Sequence, residues 1–161
     1  MRKLPYGFTL IELLVVVSII GFLFTIGVAN YINFNRRQLV NQTALKFVEE
    51  LRLAQSLANN SQKTVGCSGA LEGYSFAYSN FSHQYQIKIY CSGSYSEKIK
   101  EENFSQELTI SPASGEIKFK VLKRGIDCGG GVDHCDLTLL SGFGYSRTVK
   151  IEKGGAIYVA E

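Results

Sequence analysis

Glu12 is the one charged residue between Phe8 and Ala29. A carboxylate costs about 2–3 kcal/mol at the centre of a membrane helix and less near its end. It needs a cationic partner or a route to the headgroups by snorkelling. A second chemical group is the set of four cysteines, Cys67, Cys91, Cys128 and Cys135, all outside that run. An even count in an exported domain implies two disulfides, with three connectivities open. The favoured one joins Cys67 to Cys91 and closes a short Gly-rich loop between Cys128 and Cys135. A metal site competes for the second pair, because Asp127-Cys-Gly-Gly-Gly-Val-Asp-His-Cys-Asp136 gathers Cys, His134 and three Asp. That spacing matches no tight zinc pattern, so no metal is expected. A solvated loop tip is the simpler account of His134 and the aspartates.

Catalytic signatures are lacking. The chain has no G-x-S-x-G, no H-E-x-x-H and no phosphate loop, and its two histidines, His83 and His134, fall in turn-like contexts. The chain reads as a non-enzyme without a cofactor. Basic residues offer a binding alternative. Lys118, Lys120, Lys123 and Arg124 cluster on one strand and its exit, and Arg147, Lys150 and Lys153 lie near the C-terminus. Such a strip could contact DNA phosphates. An ordinary solvated strand face is the favoured reading.

The elements that carry these residues follow from periodicity. The 161 residues suit one domain plus an extension, and a formal charge of +3 argues against a strongly polyanionic partner. Residues 8–29 form a 22-residue apolar run, about 33 Å as a helix and enough to cross a bilayer core. Arg2 and Lys3 precede it and should stay cytoplasmic, leaving the rest of the chain outside. No small-residue cleavage site closes the run, unlike a secretory signal. Val40, Ala44, Phe47, Leu51, Ala54 and Ala58 then recur at spacings of four and three, with Lys46, Glu49, Glu50, Arg52, Gln55 and Ser56 on the other face. One helix from Phe8 to about Asn60 is expected, ending at Asn59-Asn60-Ser61. Beyond it, alternation predicts strands at 74–78, 85–90, 108–110, 117–121, 137–140, 148–151 and 156–159, separated by Gly, Asn, Ser and Pro turns. The expected fold class is α+β, a long N-terminal helix packed on antiparallel sheets.

Gly7-Phe-Thr-Leu-Ile-Glu-Leu-Leu-Val-Val-Val17 resembles the class III signal of type IV pilins and type II secretion pseudopilins. The resemblance implies a leader at 1–7, cut between Gly7 and Phe8 by a prepilin peptidase that also methylates the Phe8 amine. It further implies a membrane and filament-core helix at 8–29, its amphipathic continuation at 30–60 and a β-rich domain at 61–161. Glu12 would pair with the Phe8 amine of a neighbouring subunit and set the axial register, where an unpaired charge is expensive. The implied partners are other pilin or pseudopilin subunits, the peptidase, an inner-membrane assembly platform and, before assembly, membrane lipid. The implied location is the inner or cytoplasmic membrane and then a filament.

A weaker likeness, in strand count and spacing, links the chain to the GspH/FimT-like minor branch. Many family members carry a proline just past the apolar core where this chain has Ala29, so a proline kink is not expected. The function implied is that of a structural filament subunit, a minor one. DNA uptake and major-subunit roles are the alternatives. Without Arg2 and Lys3 the basic count falls from 17 to 15 against 14 acidic residues, a net +1 and weak support for DNA binding.

Overall fold

The computed structural model describes residues 7–93, 95–123, 125–128 and 134–160, with backbone only at 25–27, 29, 95, 123 and 134. The chain divides into two compact units, Met1–Arg37 and Gln38–Glu161. Helix α1 runs Leu10–Asn59. Among the described residues nine strands follow: β1 Leu71–Ser79, β2 Gln84–Cys91, β3 Tyr95–Asn103, β4 Leu108–Ser111, β5 Ser114–Lys120, β6 Ile126–Asp127, β7 His134–Ser141, β8 Ser146–Glu152 and β9 Ile157–Ala160. They form two antiparallel sheets, β3-β2-β1-β5-β6 and β4-β7-β8-β9. The architecture is α+β and pilin-like.

In the first unit, the apolar residues of α1 from Leu10 to Phe24 are all exposed. Among the described residues no helix is long and apolar enough to cross a membrane. The Ser18 hydroxyl donates to the Leu14 carbonyl at 2.8 Å, so this polar group is satisfied within the helix itself.

In the second unit the core begins at Val40. Val40, Ala44, Phe47, Leu51, Ala54 and Ala58 are buried, the stripe that the four-and-three spacing predicts. Phe47 is its anchor. Its ring meets Phe76 at 5.3 Å, Tyr85 at 5.2 Å and Phe104 at 6.0 Å, each edge to face. The helix ends in a Schellman arrangement. Ser61 takes φ 49°, Gln62 N–H donates to the Leu57 carbonyl and Ser61 N–H to that of Ala58.

Strand β1 is buried on both faces, from Gly73 to Tyr78. Tyr74, Phe76 and Tyr78 face the core, while Gly73, Ser75 and Ala77 lie on the other side. Gly73 is required by close approach, since a Cβ there would stand 2.2 Å from the Phe119 carbonyl oxygen. The Ser75 hydroxyl donates to Glu116 at 2.8 Å, and the Tyr90 hydroxyl donates to the same oxygen.

Two strands escape a reading by alternation. In β3, Tyr-Ser-Glu-Lys-Ile-Lys-Glu-Glu-Asn lacks an apolar face because it is an edge strand. Charged residues on such an edge discourage pairing with other chains. In β6, two residues are too few to show a period. Strand β5 begins at Ser114, inside the expected turn, and ends at Lys120, where Val121 enters a 3-10 turn.

Candidate assembly segment and its clamps

The start of α1 explains the position of Glu12 locally. Thr9 caps the helix: its hydroxyl oxygen accepts from Glu12 N–H at 3.3 Å, and its carbonyl from Leu13 N–H at 3.2 Å. Thr-Leu-Ile-Glu is a capping-box spacing, with the acid at the third helical position. A carboxylate in the first turn also complements the positive end of the helix dipole. Thr9 is thus a helix-cap position that attention to charge alone passes over, although the Thr-x-x-Glu spacing displays it. Gly7 and Phe8 lie just before the helix, and Phe8 is exposed. Residues 1–6, including Arg2 and Lys3, lie outside the described residues.

The second half of α1 is held to both sheets by polar contacts. Glu50 is 6% exposed, although the helical pattern assigns it to the solvent face. It lies three residues from Phe47 and four from Ala54, within reach of the apolar stripe. Lys100 on β3 meets its carboxylate and bridges to Glu102 at 3.0 Å. Glu102 in turn accepts from Lys46 and, at 2.9 Å, from the Tyr85 hydroxyl.

Bonds from Lys46, Lys100 and Tyr85 outweigh desolvation and hold the Glu102 carboxyl down at about 2. The Lys100 ammonium is raised, chiefly by its bonds to Glu50 and Glu102. Burial, with the Glu102 bond and the Glu50 charge added, pushes the Tyr85 phenol up. On the other sheet, Arg52 donates to the Ile157 carbonyl and Gln55 to that of Gly155, both at 2.8 Å, and Arg147 reaches Asn41 at 3.3 Å.

The cysteines form Cys67–Cys91 and Cys128–Cys135, with Cα atoms 5.9 and 5.8 Å apart. Both thiols of the 127–136 segment are therefore committed to a disulfide and unavailable as thiolate ligands. Residues 129–133 and the side chain of His134 lie outside the described residues. Among the described residues, no group of three or more His, Cys, Asp or Glu could hold a metal.

The basic set is divided. Lys118 and Lys120 are exposed on β5 of one sheet, and Arg147 and Lys150 lie on β8 of the other. Arg147 shares a face of β8 with the buried Val149 and Ile151, and Lys150 takes the opposite one. Lys118 is also engaged, 3.6 Å from Glu116 and 4.9 Å from the Tyr90 ring centroid. The Lys123 side chain and Arg124 lie outside the described residues.

Residues 2–28 match the prokaryotic N-terminal methylation motif. Over 73 residues the chain is 45% identical to a probable minor fimbrial protein of Dichelobacter nodosus. That stretch covers 45% of this chain and 44% of the relative, so the chain spans less than half the length of the protein it matches. No solved structure matches the chain. The chain thus joins a prokaryotic N-terminal methylation motif to a helix packed on antiparallel sheets, and a 73-residue stretch of it is similar to a probable minor fimbrial protein.

Proposed function

We propose that the chain is a minor structural subunit of a type IV filament, with no catalytic step of its own. The observation that carries this reading is the methylation motif over residues 2–28 at the head of a pilin-like α+β body. The similarity to a probable minor fimbrial protein favours the minor role. On this reading a prepilin peptidase cuts after Gly7 and methylates Phe8. Gly7 lets an enzyme approach the scissile backbone closely, with no side chain in the way. Residues 8–29 then hold the protein in the inner or cytoplasmic membrane, with the β domain outside. An assembly platform later moves that helix into a filament of other pilin subunits. Glu12 forms a charge pair there with the Phe8 amine of a neighbour.

Intact-mass analysis of protein from cells with an active peptidase tests the reading, together with quantitation in sheared filaments. The expected result is a chain lacking residues 1–7, bearing one added methyl group and present in filaments far below the main subunit. An uncut chain, or one missing from filaments, overturns it. A chain as abundant as the main subunit overturns the minor role.

A further inference from the structure

Four connections gather at one end of the β domain. Asn80, in the β1–β2 turn, exchanges two bonds with Ile110 of β4, at 2.7 and 2.9 Å. Asn80 N–H also donates to Ala113 in the β4–β5 connection, and Phe104 N–H to the His83 carbonyl. Strand β4 pairs Leu108 with Ser141, which brings the β7–β8 turn to the same end. Residues 41–47 of α1 flank it through the Arg147–Asn41 bond and the Phe47–Phe104 ring contact.

Two exposed aromatic residues lie in these turns. Phe81 is 100% exposed and Phe143 is 58% exposed. By sequence, the four connections (80–83, 104–107, 112–113 and 142–145) carry one carboxylate, Glu107, and no lysine or arginine. The connections after α1 and between β8 and β9, at the opposite end, carry Lys63 and Lys153. Exposed phenylalanines on connections with a single carboxylate are costly in water and suit the border between headgroups and acyl chains.

We propose that this end of the β domain rests on the bilayer before the subunit enters a filament, with Phe81 and Phe143 at headgroup level. The occupant is a lipid surface for a reason of chain length. Eight residues, 30–37, separate the apolar run from the start of the β-domain unit. As helix they rise about 12 Å, about 4–7 Å beyond the headgroup layer, which is roughly 5–8 Å thick on each side of the core, so a turn that reaches below the start of the domain can touch it. Lipid contact would restrain the domain's orientation while it waits for assembly. The proposal rests on the membrane anchoring proposed above.

The chain has no tryptophan, so one introduced by substitution is a lone reporter. The full chain carrying Phe81→Trp, and separately Phe143→Trp, is reconstituted into phosphatidylethanolamine–phosphatidylglycerol vesicles containing lipids brominated high on the acyl chain. Val65→Trp, at a fully exposed position in the connection after α1, serves for comparison. The expected result is emission quenched by about twofold at 81 and 143, where the ring reaches the interface, and unchanged at 65. No quenching at 81 and 143 in a chain that floats with vesicles overturns the inference and leaves the anchoring intact. Equal quenching at all three positions overturns it too, because the end is then not selected. A blue shift that follows protein density rather than brominated lipid assigns the aromatics to a second copy and overturns the lipid surface. Failure of the unsubstituted chain to float overturns the anchoring reading itself.

Discussion

At Glu12 two physical demands meet in one side chain. Its position satisfies the helix start, through Thr9 and the dipole, and its charge suits a partner amine. Glu12→Gln separates them, because glutamine serves a capping box but carries no charge. If the charge sets the register, an uncompensated buried amine costs about 3–5 kcal/mol, and incorporation into filaments falls at least about tenfold. Co-purification with sheared filaments measures it, and undiminished incorporation leaves Glu12 as a helix-start residue alone. Glu102 gives a second test. Its folded pKa, about 2, lies below the ordinary carboxylate value of 4.5. The folded state therefore gains stability from this group above about pH 4.5. That contribution is lost as pH falls from there toward 2. Urea titrations between pH 6 and pH 2 should show the midpoint dropping, with a shallower drop in Glu102→Gln. An identical slope in the variant would place the acid sensitivity elsewhere.

Individual elements are held by cross-links of different reach. Cys67–Cys91 spans 24 residues and ties the connection after α1 to the end of β2, whereas Cys128–Cys135 spans seven. Loop-closure entropy makes the longer link worth about 3.5 kcal/mol and the shorter about 2.5 kcal/mol at 25 °C. Replacing Cys67 and Cys91 together by Ser should lower the denaturation midpoint more than replacing Cys128 and Cys135. The reverse order would show that native packing around the shorter link outweighs chain entropy. The two sheets also differ in how openly their strands declare themselves. Strand β2 alternates Tyr85, Ile87 and Ile89 inward, so its period is visible in isolation. Strand β3 is written in charges, and only its pairing with β2, Ile89 opposite Glu97 and Gln86 opposite Glu101, makes it a strand.

Among the described residues of the molecule, the buried core lies at or beyond Val40, and the apolar side chains of the first unit are exposed. A fragment of residues 38–161 should therefore fold as a monomer, with one cooperative thermal transition and dispersed amide resonances. A fragment lacking fixed tertiary packing would show that residues before 38 contribute to the fold. Sequence by itself determined what depends on local order: the apolar run with its lone acid, the buried stripe of α1, the alternation in most strands and the even set of cysteines. Each is a period or a count carried by neighbouring residues. Tertiary structure alone decided the division into β3-β2-β1-β5-β6 and β4-β7-β8-β9, the strand identity of β3 and β6, and the burial of Glu50. It also brought the turns bearing Phe81 and Phe143, 62 positions apart, to one end. These outcomes depend on partners far along the chain. An acid enters the rim of the helix stripe because Lys100 arrives to meet it from fifty residues away. An edge strand forms because a neighbour supplies its hydrogen bonds, and neither fact has a local period to announce it.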